Sequence, residues 1–198
     1  MLKGFPMGSD LPSKGSSLFS QNTSPRFVIA AMKDSGTEAS PGTPLQRIQI
    51  IKGWVDASGQ THEQVYNVAG TTQSTGNEFN TNTCEVNYNV GYNELCTVWT
   101  DPDFDSSQPA FYYARVLENP TCRWSTYACK AAGVDPYLSN SDCMSAAATA
   151  NAQAVAAGEI ASGETPFNNC CLNETNNSFL SRSLQERAWT SPIWYTPE

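Results

Sequence analysis

The chain has 198 residues, 39% hydrophobic and 15% charged, with 11 basic and 19 acidic side chains and a formal net charge of −8. That length can bury a real core, and the low charge and 11% aromatic content exclude a disordered or coiled-coil chain. The acidic balance, with no basic patch, argues against nucleic acid and anionic membrane surfaces as partners, and the longest apolar stretch, Phe27 to Met32, is too short to span a bilayer.

Residues 1–25 are rich in Gly, Pro and Ser and predict an extended, loop-like lead-in. Arg26 to Met32 is a short apolar run and reads as a buried strand. Residues 33–44 hold Gly36, Pro41, Gly42 and Pro44 and predict a loop. Arg47 to Val55 is rich in β-branched residues and stops at Asp56-Ala57-Ser58-Gly59, a turn whose glycine tolerates positive φ. Glu63 to Val68 then alternates apolar and polar, so the pair predicts an antiparallel hairpin. Residues 70–94 are polar, with many Asn and Thr, and suit a long surface loop. Leu95 to Thr100 and Ala110 to Glu118 read as strands, the second with aromatic and β-branched residues along it. Between 119 and 185 lie five of the seven cysteines. There Ser141-Asp142 can cap a helix through the Ala-rich Met144 to Ala157, ended by Gly158. Arg187 to Tyr195 predicts a last strand, which Pro192 confines to an edge, a bulge or an unpaired position.

The expected fold is therefore mainly β: an antiparallel, Ig-like β-sandwich formed by 26–118 and 186–198. Residues 119–185 make a disulfide-stapled, partly helical insertion. Seven cysteines point to an oxidising compartment, periplasmic or extracellular. The start has no apolar signal segment, and Gly4, Pro6 and Gly8 punctuate it like the middle of a domain. The chain is accordingly expected to be the downstream part of a longer exported protein.

Disulfide formation is the preferred role for Cys84, Cys96, Cys122, Cys129, Cys143, Cys170 and Cys171 over zinc, which favours short Cys-x-x-Cys knuckles and histidines. An odd count leaves one thiol over, and spacing leaves the pairing open. Cys84 and Cys96 flank the end of the 70–94 loop and are one possible staple. Asp101-Pro102-Asp103-Phe104-Asp105 begins like a calcium loop, but Ser106 stands where the turn glycine belongs and Tyr112 where the bidentate glutamate belongs. Asp101, Asp103, Asp105 and the isolated Asp10 are thus weak ligand candidates, each better read as a loop carboxylate. His62, the single histidine, reads as an exposed turn residue rather than a base. One imidazole rules out a several-histidine metal site within this chain, and no Gly-x-Ser-x-Gly elbow occurs. No catalytic or metal residues are assigned. Asn22, Asn173 and Asn176 match the glycosylation sequon, a match that would mean little were the protein bacterial.

Several segments carry a family resemblance: Pro6-Met7-Gly8-Ser9-Asp10-Leu11, Pro44 to Trp54, Val98-Trp99-Thr100-Asp101-Pro102-Asp103-Phe104-Asp105, Ala110 to Ser125, and Gln185 to Tyr195. In wording and order they resemble the C-terminal part of a large bacterial family, domain of unknown function 3604. Full-length members resemble exported metal-dependent hydrolases related to the PHP (polymerase and histidinol phosphatase) superfamily. The resemblance implies an upstream, barrel-like catalytic domain with a divalent metal, no cofactor in this chain, and a β-rich tail here. It also implies that Phe111 to Glu118 and Arg187 to Trp194 pair antiparallel. The Cys122, Cys129 and Cys170-Cys171 pattern looks familial, which supports disulfides. The resulting expectation is a sandwich region without a complete active site, partnered by the upstream domain. The alternative is a self-standing extracellular binding or assembly module that exchanges strands with a second copy.

Overall fold

The structure, a computed structural model, describes residues 4–13, 23–172 and 181–197. Parts of the 1–25 lead-in and all three sequon asparagines lie outside the described residues. In chain order the elements are strands β1 (Arg26–Met32), β2 (Leu45–Val55), β3 (Thr61–Gly70), β4 (Glu94–Thr100), β5 (Ala110–Glu118) and β6 (Thr121–Cys122). Helices α1 (Trp124–Ala131) and α2 (Asn140–Ala157) follow, then a 3₁₀ turn (Pro166–Cys171), β7 (Ser183–Leu184), β8 (Arg187–Trp189) and β9 (Ile193–Tyr195). The chain divides into two compact units. Unit 1 comprises Met1–Ser74, Val90–Asn119 and Glu186–Glu198; unit 2 comprises Thr75–Asn89 and Pro120–Gln185.

In unit 1 every named strand pairs antiparallel. One sheet runs β3-β2-β5, with β8 and β9 both on the far side of β5; the other is the pair β1-β4. The predicted hairpin is β2-β3, with a bulge at Ile48/Gln49. Its turn is held by the Asp56 carboxylate, which accepts the Ser58 and Gln60 N–H groups, while Gly59 sits at φ 82°. β2 is the central strand and is buried along most of its length, as strands with partners on both sides tend to be. β5 takes the predicted span, and the last strand divides at Thr190–Pro192 into β8 and β9. That division is where Pro192 removes a backbone donor. Both pieces pair with β5, Arg115 opposite Trp189 and Phe111 opposite Trp194.

The two sheets of unit 1 share their core, which makes the architecture sandwich-like. Ile50, Ala110, Tyr112 and Tyr195 of the larger sheet pack with Phe27, Ile29 and Trp99 of the smaller one. Ile48, Leu45 and Val116 meet Leu95 and Ala31 farther along. The reading of Arg26 to Met32 as a buried strand is corrected. β1 alternates, with Phe27, Ile29 and Ala31 partly buried and Val28 and Met32 at 75% and 79% exposure. The reason is that the small sheet, two strands among the described residues, turns one face against the core.

Unit 2 is held by three disulfides: Cys84–Cys122, Cys129–Cys170 and Cys143–Cys171. The suggested Cys84–Cys96 staple is not formed. Cys96 lies on β4, is exposed, and is the unpaired thiol. Its alternation places it on the outer side of the small sheet, with Ala30 across from it. The adjacent Cys170 and Cys171 reach different helices, so one 3₁₀ turn is tied to both α1 and α2.

α2 starts earlier than its alanines suggest. Ser139 caps it by accepting the Asp142 N–H at 3.2 Å and donating to the Asp142 carboxylate at 2.7 Å. The cap is thus Ser139 rather than the expected Ser141-Asp142, and Asp142 places a negative charge in the first turn, where the helix dipole favours it. Gly158, at φ 76°, ends the helix as expected. Cys143, Ala147, Ala150, Asn151 and Ala154 form its buried stripe. Asn151 is satisfied there by Asn168 and by the Phe167 N–H. No helix among the described residues is long and apolar enough to cross a membrane.

Candidate functional site

The most concentrated chemistry in unit 1 is a buried polar cluster built on β2. Alternation points Ile48, Ile50, Lys52 and Trp54 toward the core, so the sequence places one ammonium among apolar neighbours. Lys52 is opposite Tyr112 of β5. Its Nζ lies 2.7 Å from the Asp101 carboxylate, and the two side chains are 5% and 0% exposed. Lys52 also donates to the Asp103 carbonyl at 2.7 Å and sits 5.3 Å from the Trp54 ring centroid.

Asp101 accepts three hydrogen bonds: from Lys52, from the Tyr112 hydroxyl at 2.7 Å and from the Asp103 N–H at 2.9 Å. The Tyr66 hydroxyl donates to the Asp103 carboxylate at 2.9 Å. Burial, reinforced by the hydrogen bond to Asp101 and its charge, pushes the Tyr112 hydroxyl far above its ordinary range. Burial and Asp103 do the same for Tyr66. Both phenols therefore stay protonated and act as donors. The cluster fastens the loop after β4 to the sheet. Its ammonium and Asp101 are fully engaged with each other, and this arrangement is that of a structural clamp.

The four ligand candidates do not converge. Asp101 and Asp103 belong to the clamp. Asp105 accepts the Ser107 N–H and hydroxyl at 2.8 and 2.6 Å, forming a local turn. Asp10 is exposed and meets β9 through a backbone bridge to Trp194. Among the described residues no group of three or more His, Cys, Asp or Glu is placed to hold a metal ion. Six of the seven cysteines are in disulfides.

His62 opens β3, where its Nε2 lies 2.7 Å from the Asp56 carboxylate and its ring stacks on Trp54 at 5.1 Å and 19°. Hydrogen bonds from Ser58 and His62 hold the Asp56 carboxyl well below the usual range. This dyad braces the exposed hairpin turn.

Sequence reasoning did not single out Lys52, although a lysine at an inward position of an Ile-rich strand is a visible signal. It also did not single out a cleft of about 510 Å³ at the ends of β2, β3, β5 and β9, lined in part by Gly53, Thr61, Glu63, Phe111 and Trp194.

No curated protein and no solved structure matches the chain. A family model does match, described as "Protein of unknown function (DUF3604)", over residues 1–150. The match takes in the hairpin, the clamp, the cleft-lining strands before β9 and most of α2, and the chain belongs to this family.

Proposed function

We propose that this chain is the β-sandwich region of an exported, PHP-like, metal-dependent hydrolase whose catalytic metal is held by a separate barrel-like domain of the parent. The observation that carries the reading is the engagement of the acids. Asp101 and Asp103 are committed to Lys52, Tyr112 and Tyr66, and Asp105 accepts from Ser107. They therefore do not fit a metal, and no reaction step is assigned to this chain. Three disulfides favour an oxidising compartment, periplasmic or extracellular.

The test is a metal titration of the purified chain with manganese and zinc, with p-nitrophenyl phosphate as substrate. Binding below stoichiometric levels and no turnover are expected. One tightly held divalent ion per chain with hydrolysis defeats the reading.

A second reading, a self-standing assembly module, is favoured by the small sheet. Its outer side exposes Val28, Met32 and Val98, at 75%, 79% and 53%. β1 pairs only with β4 among the described residues, so one strand edge is open. Light scattering after size exclusion separates the two readings. Assembly requires a mass above that of one chain, and a clean monomer removes this alternative.

A further inference from the structure

The outer face of the larger sheet in unit 1 is aromatic. Register and alternation place Phe111, Tyr113 and Arg115 of β5 on this face, beside Trp194 of β9 and Trp189 of β8. Gly53 lies across from Phe111 on β2 and Glu63 across from Gly53 on β3. Phe111 and Tyr113 are nearly parallel, 8° apart, with ring centroids 6.3 Å apart. Trp194 extends the surface at 5.3 Å from Phe111. Trp194 and Trp189 are 48% and 58% exposed. The Phe111 ring lies over Gly53: a Cβ there would come within 2.3 Å of it. Glycine at 53 therefore lets the ring cross β2 instead of standing off it.

We propose that this face and its adjoining cleft bind a neutral polysaccharide, with sugar rings stacked on Phe111, Tyr113 and Trp194 and hydroxyls bonded to Thr61 and Glu63. The negative π-face of an aromatic ring attracts the weakly positive C–H face of a pyranose. Nearby acceptors and donors then serve the hydroxyls that project from the sugar's rim. Other ligand classes fit less well. The backbones of β2 and β5 beneath the aromatic rings are paired on both sides, so a peptide finds no open strand edge where the rings lie. Glu63 in the cleft and the net charge of −8 disfavour phosphate, sulfate and nucleic acid. The inference is independent of the hydrolase reading, because it concerns residues that hold no metal and needs no second domain.

Affinity electrophoresis of the full chain tests it, in gels cast with hydroxyethylcellulose, galactomannan, xylan or amylopectin, and with dextran sulfate as the charged comparison. At least one neutral polymer is expected to retard the protein. Trp194→Ala is expected to weaken that retention by about tenfold, which corresponds to about 1.4 kcal/mol. Trp189→Ala and Glu63→Gln, at more exposed positions, should weaken it in the same direction with an unchanged circular dichroism spectrum. Trp124→Ala should leave it unaltered, because Trp124, 72% exposed, is on α1 and not among the residues of this face. Retention by none of the neutral polymers overturns the proposal. So does retention by dextran sulfate alone, or equal retention of wild type, Trp189→Ala and Glu63→Gln.

Discussion

Lys52→Met is expected to lower the unfolding free energy of unit 1 by about 3–5 kcal/mol, the usual penalty for removing one partner of a buried ion pair. Methionine matches the aliphatic stem, so the loss is electrostatic rather than a cavity. What remains is the Asp101 carboxylate, 0% exposed, with only Tyr112 and the Asp103 N–H to solvate it. Adding Asp101→Asn should restore a large part of the loss, because no uncompensated charge is then buried and the amide oxygen can still accept from Tyr112. Denaturant unfolding followed by tryptophan fluorescence gives the measurement. A Trp124→Phe background places every remaining tryptophan in unit 1. If Lys52→Met unfolds at the wild-type midpoint, or the double variant is weaker than the single one, the clamp is not what secures the loop after β4.

Unit 2 should respond as strongly to loss of a disulfide. Cys143 and Cys171 are 28 residues apart in sequence. Closing a loop of that size restrains the unfolded chain by about 3–4 kcal/mol in the chain-entropy model. Little else in the unit compensates. The stripe that α2 buries is three alanines, a cysteine and an asparagine, which removes far less apolar area from water than leucines would. Helices in proteins draw most of their stability from packing of a buried face rather than from propensity. Cys143→Ala/Cys171→Ala is therefore expected to lower the melting temperature of the helical circular dichroism signal, with the sheet signal of unit 1 persisting above it. Coincident and unshifted helix melting would show that the apolar cluster alone suffices.

The strands were legible because the sequence states their chemistry locally. β5 carries three aromatic residues and Val116 in nine positions, and the β2-β3 turn has a side chain that caps it and a glycine that relaxes it. The resemblance supplied what local pattern does not, the pairing of β5 with the last strands across an excursion of many residues. α1 was not visible because it has no side-chain cap and no acidic residue in its first turn. The burial of β1 was overestimated because an apolar run reads the same whether one face or both are covered. Disulfide partners depend on tertiary proximity, so spacing left the pairing open, and Cys84 meets Cys122 rather than the nearer Cys96. The clamp hid among acids that resembled the start of a calcium loop. Their true partner, Lys52, lies about fifty positions upstream on another strand.

The route of the chain out of and back to β5 has a consequence for how this protein can change. Glu118 N–H is bonded to the Glu186 carbonyl, β6 pairs with β7, and the Arg123 N–H is bonded to the Arg182 carbonyl. The excursion is thus pinched shut at its neck. Loop-closure entropy grows only slowly with length, so segments beyond such a neck can be lengthened, trimmed or exchanged with little penalty to the strands on either side. The helical excursion is in that sense a cartridge, and versions carrying a different one should keep the same sandwich provided Cys122 remains to pair with Cys84 of the 75–89 segment.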